Sequence, residues 1–317
     1  MRLIKQSFEI WNQPAGLEGV YKQIEKAGRV CYKSEDKITE DSAKPFVDRM
    51  VKSGHGAMLE HGTVYLEFHV KDPSEVGEEE YHSQQSELNK LISRYANNKY
   101  SIIKVNHYYD TVFITTNYRV LIENNWLKDL KYICEPTVFH EKRVCVHFVC
   151  DRGILAEFTR HRVFSFSAES TRYCNYSKDK FGNELTFIIP CWMDIPEGSI
   201  NLGNYDKTSA RYEDGNIHII DTKPPYVGVD FIRSLCEAES NYLSIVRNGW
   251  KPQEARAVLP NSLKTELVMT GFVSDWKHFF GLRSRIAETG KPHPQAQELA
   301  DPLMDEFIKR GIMETLI

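Results

Sequence analysis

Apolar and polar positions along the chain change their period several times, and each change marks an element. Residues 2–11 alternate loosely, which predicts a strand. Leu17, Val20, Tyr21 and Ile24 fall at helical spacing and predict a helix over 17–27 that stops at Gly28. Asp41-Ser42 stands ahead of a second helix that runs to Met50-Val51, with Gly54 past its end. Over 63–70 the alternation is strict. Val64, Leu66 and Phe68 share one face and Tyr65, Glu67 and His69 the other, so this is a strand. Residues 72–100 lose that order. They are polar and charged, rich in glutamate at 76–80, with a short helical patch at Leu88-Leu91-Ile92, and read as an inserted excursion.

Order returns with a strand at 112–116 and a helix over 118–130. A well-patterned strand follows at 144–150, and Asp151-Arg152-Gly153 turns it into a helix from Ile154 to about Arg162. Turn formers crowd 174–225, Pro224-Pro225 among them, interrupted by a strand at 185–190. The longest helical pattern covers 226–246 and stops at Gly249. Pro252 then opens Gln253-Glu254-Ala255-Arg256-Ala257-Val258-Leu259-Pro260. A strand at 262–271, a helix at 275–285 and an amphipathic helix at 292–310 close the chain. There is no internal repeat and no linker that forces two domains. The expectation is a single α/β domain over 1–317, with insertions near 70–140 and 174–225.

Composition narrows the function classes. The 317 residues are 41% hydrophobic and 12% aromatic, enough for a sizeable core. A formal charge of −4 argues against general adhesion to nucleic acid or acidic membranes, so any phosphate site must be local. Seven scattered cysteines, at 31, 134, 145, 150, 174, 191 and 236, form no CxxC and read as reduced thiols of an intracellular protein. No signal-peptide core or membrane-length apolar run is present, which places the protein in the cytoplasm as an expectation.

Candidate chemistry concentrates in Arg160-His161-Arg162-Val163-Phe164-Ser165-Phe166-Ser167-Ala168-Glu169-Ser170-Thr171-Arg172-Tyr173. Guanidinium forks and hydroxyls suit phosphate oxygens. On a helix, neighbours point about 100° apart, so Arg160, His161 and Arg162 cannot all face one small ligand there. Either the helix ends or the three serve different anionic groups, in a crowded site at a subunit junction. Elsewhere the motifs are negative. No GxGxxG follows a strand and no P-loop occurs, so a nucleotide or flavin is not held by a Rossmann turn. His55, Glu60 and His61 lack the spacing of a metal site. Pro190-Cys191 resembles a nucleophile motif, but its apolar flanks Ile188-Ile189 and Trp192-Met193 read as the setting of a buried structural thiol. A nucleic-acid-binding module, with Phe164, Phe166 and Tyr173 stacking on bases, and a flavin enzyme acting on another nucleotide are the alternatives.

The Arg160-His161-Arg162 triplet, seven residues and then Ser170 resembles the RHR-x7-S signature of the flavin-dependent thymidylate synthases. Arg172-Tyr173, Ser53-Gly54-His55 through Glu60-His61, the Ala255 to Pro260 block and His278 to Leu282-Arg283 extend the resemblance in the family's order. It implies that family's own mixed α/β fold, without a Rossmann domain, and a homotetramer with shared active sites. It implies FAD as cofactor and reductive methylation of dUMP to dTMP, with methylenetetrahydrofolate as carbon donor and NADPH as reductant. By position, His55, Arg160, His161, Arg162 and His278 are expected at FAD. Glu157, Arg160, Ala168, Glu169, Ser170, Arg172, Arg256 and Arg283 are expected at dUMP, with Ser170 and Arg172 from a neighbouring chain and Arg283 on the uracil as the catalytic group. The sequence departs from the pattern at Glu157, where some members carry glutamine. It departs also at Ala57, Ala168, Phe272 and Ser274, where some carry polar or charged groups around FAD.

Overall fold

The computed structural model describes residues 1–199 and 227–314. In chain order the elements are β1 (Arg2–Ile4), β2 (Ser7–Trp11), α1 (Gly16–Tyr32), α2 (Ala43–Lys52), α3 (Gly56–Leu59), β3 (Thr63–His69), α4 (Pro73–Val76), α5 (Glu78–Ala96), β4 (Ile102–Asn106), β5 (Thr111–Asn117) and α6 (Tyr118–Glu123). They continue with β6 (Arg143–Asp151), α7 (Arg152–Phe158), β7 (Ser165–Ala168), β8 (Thr186–Ile188), β9 (Gly198–Ser199), α8 (Val227–Arg247), α9 (Pro252–Ala255), β10 (Lys264–Phe272), α10 (Val273–Arg283) and α11 (Pro294–Lys309).

A four-stranded antiparallel sheet, ordered β2-β6-β10-β7, forms the centre. Strict alternation divides its residues between two faces. Val144, Val146, Phe148 and Cys150 of β6 point to one face and pack with α7, α10 and α11 around Trp276, Phe279, Phe280 and Phe307. Cys145 and Val268 point to the other and meet Trp11, with Ala27 and Val30 of α1. The opposite end of α1, through Val20 and Ile24, packs into a second core built on the sheet β3-β5-β4. A third, small sheet, β8-β1-β9, carries the parallel pair β1–β8 and packs against α8. With antiparallel pairing in the other two sheets, the fold is mixed α/β, and the described residues contain no doubly wound dinucleotide domain.

Several elements differ from the sequence reading. Helix α1 does not stop at Gly28 but runs to Tyr32, where Lys33 takes φ 47° as its left-handed cap. Gly28 serves close packing instead: a Cβ there would lie 2.6 Å from the Phe46 ring. The polar stretch 72–100 is mostly the nineteen-residue α5, whose Leu88, Leu91 and Tyr95 are buried against the second sheet. The helix expected over 118–130 ends at Glu123, because Asn125 adopts φ 59°, and a 3-10 turn follows at Leu127–Tyr132. Strands β4, β7 and β9 were not expected. Pro224-Pro225, the start of the helix at Tyr226 and the rest of 200–225 lie outside the described residues.

Leu91 is fully buried. Leu91→Ala is expected to cost about 2–5 kcal/mol, as large-to-small changes in well-packed cores do. Denaturant unfolding followed by circular dichroism reads this out; a loss below 0.5 kcal/mol, roughly the range of surface changes, would return 72–100 to the status of a peripheral excursion.

Candidate active site

Helix α7 starts where Asp151 caps it, its carboxylate accepting from the Ile154 N–H at 2.7 Å. It ends at Phe158, earlier than the sequence suggested, and the chain then turns tightly: His161 N–H bonds the Phe158 carbonyl at 3.1 Å and Arg162 N–H the Arg160 carbonyl at 3.0 Å. The turn resolves the crowding of three neighbouring residues. His161 points inward, 7% exposed, while Arg160 and Arg162 stay exposed.

Arg283, at the end of α10, meets this turn. Its Nε–H donates to His161 Nε2 at 3.1 Å, one Nη1–H to the Glu157 carboxylate at 2.6 Å, and one Nη2–H to the Glu157 carbonyl at 3.2 Å. Helix α10 is anchored by Trp276, Phe279 and Phe280, and the Phe158 and Phe279 rings pack 5.0 Å apart. A guanidinium can only donate, so the bonded Nε2 of His161 must be an acceptor. His161 is therefore neutral, with its proton on Nδ1, which has no partner among the described residues. Burial, and then the charge of Arg283, hold its pKa down at about 4. His278 lies beside it, ring centres 6.3 Å apart, with its own side chain exposed.

A second group lies past the other end of β7. Ser170 is fixed by its N–H on the Cys31 carbonyl at 3.1 Å, and its hydroxyl accepts from the Arg172 N–H at 3.3 Å. Arg256 donates to the Thr171 hydroxyl at 3.2 Å. Arg172 lies over the Tyr173 ring at 5.5 Å, Tyr173 lies 5.2 Å from Tyr32, and the Tyr32 hydroxyl is 3.0 Å from His55 Nδ1. Tyr32 and Thr171 were not singled out from sequence. Their signal was adjacency, since Thr171 sits between two expected site residues and Tyr32 at the foot of α1.

Other expected residues divide. The chain brings Glu157, His161, His278 and Arg283 together, and separately Ser170, Arg172, Arg256 and His55. Glu169 turns inward, its carboxylate taken by the Tyr176 hydroxyl at 3.0 Å and by Lys264 at 2.9 Å, its N–H by the Glu266 carbonyl. Ala168 pairs with Leu267 inside the central sheet. Ala57 and Ser274 are exposed and Phe272 is half-buried. Phe164 is buried in the aromatic core and Phe166 half-buried, so of the three aromatics a base-stacking surface required, Tyr173 alone is exposed.

Charge is unevenly answered. Arg160, Arg162, Arg172 and Arg256 have no carboxylate within ion-pair distance among the described residues, whereas Lys33 and Lys264 share Glu266. Four unanswered guanidiniums are a donor set for phosphate groups. The thiols are all shifted away from the thiolate form. Cys191 is exposed, not buried as its flanks suggested, yet burial of part of its surface pushes its pKa up, as burial does at Cys31, Cys134, Cys145, Cys150, Cys174 and Cys236. No group of three or more metal-binding side chains occurs among the described residues, and no described helix is long and apolar enough to cross a membrane.

A family model described as thymidylate synthase complementing protein matches residues 116–310. The flavin-dependent thymidylate synthase of Pyrococcus furiosus is 25% identical over 168 residues, 53% of this chain and 55% of that protein. The enzyme of the same name from Corynebacterium aurimucosum is 30% identical over 133 residues, 42% and 46% of the two chains. The chain thus spans about half the length of the curated relatives it matches. Among solved structures, a UMP/dUMP methylase from Streptomyces cacaoi bound with 5-Br dUMP aligns over 98% of this chain and 93% of its own, at 17% identity and a TM-score of 0.42.

Because His161 folds as a neutral ring, stability depends on acid. The unfolded chain takes up that proton near the ordinary 6.5 and the folded one only near 4, so the unfolded state binds more protons in between and stability falls as pH drops through that window. Urea unfolding of the protein and of His161→Gln, between pH 4 and 8, is expected to show a shallower acid loss in the variant. Parallel pH profiles would contradict a neutral His161.

Proposed function

The chain belongs to the thymidylate synthase complementing protein family, and from that premise we propose that it is a flavin-dependent thymidylate synthase. The proposed reaction is the reductive methylation of dUMP to dTMP, with FAD as cofactor, methylenetetrahydrofolate as carbon donor and NADPH as reductant. The observation that carries the reading is Arg283, set by three hydrogen bonds beside a neutral histidine at the foot of the Arg160-His161-Arg162 turn.

The donor chemistry fits FAD. A dinucleotide brings a diphosphate, and Arg160 and Arg162 offer exposed guanidiniums with no described carboxylate partner. His161, through its Nδ1–H, His278 and His55 complete the residues proposed to hold the cofactor. Bound flavin supplies the hydride chemistry; the chain supplies position and field. Ser170, Arg172 and Arg256 take the phosphate end of dUMP in this reading. Arg283 takes the pyrimidine and stabilises negative charge that develops at N3 and O4 when C5 becomes nucleophilic. A guanidinium suits that role because it cannot lose its proton near neutral pH. We further read the assembly as a cytoplasmic homotetramer with shared sites. Support comes from the position of Ser170 and Arg172 past the opposite end of β7 from Arg283's partners.

The purified protein is expected to be yellow, with absorbance near roughly 450 nm, as oxidised flavin cofactors give. Arg283→Ala is expected to lower dTMP formation by about two to three powers of ten, the usual loss for one preorganised donor. Cys191→Ala is expected to keep most of it. Chromatographic assay of dTMP from dUMP decides; an inactive Cys191→Ala protein that still binds FAD and dUMP would reassign the chemistry to the thiol.

A further inference from the structure

Arg283 has five N–H groups and the protein itself engages three of them. One goes to a neutral nitrogen and two go to Glu157. Two N–H groups therefore remain, one on each terminal nitrogen. Glu157 is an unusual partner because it grips through both its carboxylate and its carbonyl, at 2.6 and 3.2 Å. The carbonyl oxygen also accepts the Arg160 N–H at 3.4 Å, so the guanidinium is tied directly to the backbone of the Arg160-His161-Arg162 turn. The ion pair is partly sheltered, the two side chains being 17% and 29% exposed.

We propose that Glu157 is a positioning residue for Arg283, selecting which two guanidinium N–H groups face a bound pyrimidine. The proposal rests on the functional reading above for the identity of the pyrimidine, but not for the geometry. Without the Glu157 carboxylate, Arg283 keeps two described partners, His161 Nε2 and the backbone carbonyl of residue 157. Those two bonds hold Nε and Nη2 but leave both N–H groups of Nη1 unengaged, so the fork can tilt about that edge. Two free donors fixed in direction match two adjacent acceptors; three donors on a tilting fork match several arrangements, most of them unproductive. Position, more than charge, is what the carboxylate supplies, since a carboxylate against the guanidinium offsets part of its field. An amide oxygen at the same place keeps the acceptor and removes the offset.

The test has two arms. In crystals of Glu157→Ala without nucleotide, the Arg283 guanidinium is expected to leave His161 or to occupy more than one position. In Glu157→Gln it is expected to stay. An unchanged Arg283–His161 contact in Glu157→Ala overturns the proposal whatever the enzyme's substrate proves to be. In the kinetic arm, Glu157→Ala is expected to lower kcat for dTMP formation by roughly tenfold or more while KM for dUMP moves by less than about threefold, the pattern of an interaction that matters in the transition state. Glu157→Gln is expected to restore most of kcat, and Glu157→Ala in the Arg283→Ala background to cost nothing further. A loss confined to KM, a glutamine variant as weak as the alanine, or losses that multiply in the double variant each overturn it. A wild-type protein that makes no dTMP from dUMP defeats the functional reading instead and leaves the crystallographic arm standing.

Discussion

The pairing of β6 with β10 sets the geometry on which the site depends. The two strands lie antiparallel over nine partners, from Lys264 against Asp151 to Phe272 against Arg143. Each strand passes straight into a helix, β6 into α7 and β10 into α10, so the helices leave from opposite ends of one ladder. Both pack on the same face. Nine residues of strand span about 27–30 Å. The seven residues of α7 and eleven of α10 span about 10 and 16 Å. Two helices of those lengths, running toward each other from the ends of that ladder, meet at their C-termini. Glu157 and Arg283 sit at that meeting point. A slip of the register by one residue would send Val146 and Phe148 to the α1 face and remove the floor beneath both helices.

The site then handles its charges in two ways. Within the fold, cations are answered: Lys33 by Glu35 and Glu266, Lys264 by Glu169 and Glu266, and Glu266 also by His147. The hydrogen bond from His147 and the charges of Lys264 and Lys33 hold Glu266 well below the usual carboxylate range, although burial alone would raise it. Around the 160–172 stretch the arginines have no carboxylate within ion-pair distance among the described residues. An acidic chain of net charge −4 thereby keeps a local excess of positive charge. His161 belongs to the same logic. A protonated His161 would be repelled by Arg283 and Arg160, and burial keeps the ring neutral so that it accepts instead.

Much of this was legible in the sequence where packing imposes a simple period. The strands β6 and β10 and the long helices α8 and α11 bury a regular face, and the alternation or 3.6-residue spacing shows it. The failures have physical causes. Gly28 looked like a helix stop because glycine usually is one, but here it makes room for Phe46. Helix α5 buries only Leu88, Leu91 and Tyr95, a stripe too thin to outweigh its polar residues. Strand β7 is four residues long, and its buried serines are satisfied by hydrogen bonds that no hydropathy pattern reveals: the Ser167 hydroxyl donates to the Ala27 carbonyl and the Ser165 hydroxyl accepts from Arg143. For the site, the family resemblance marked His161, Glu157 and Arg283, yet the bond between Glu157 and Arg283 spans 126 positions of sequence and is a product of the ladder alone.

The state of the thiols bears on what kind of chemistry such a site can run. A cysteine can attack a pyrimidine ring only as thiolate, and proteins make thiolates by placing cations or helix N-termini beside them. All seven cysteines here are shifted the other way by burial, and at Cys145, Cys150, Cys174 and Cys236 burial outweighs nearby positive charge. Lys33 and Lys264 pull Cys174 down, for instance, yet burial and Glu169 hold it up at about 12. Among the described residues no cysteine is bonded to Arg283 or lies within the Arg160-His161-Arg162 turn. In the proposed reaction, ring activation without a covalent thiol comes from stabilising charge on the ring itself. That requires a permanent cation whose donors are already aimed, since reorienting them during reaction would return much of the gain. A guanidinium tied at three of its five N–H groups, at the junction of two helices launched from one ladder, meets that requirement.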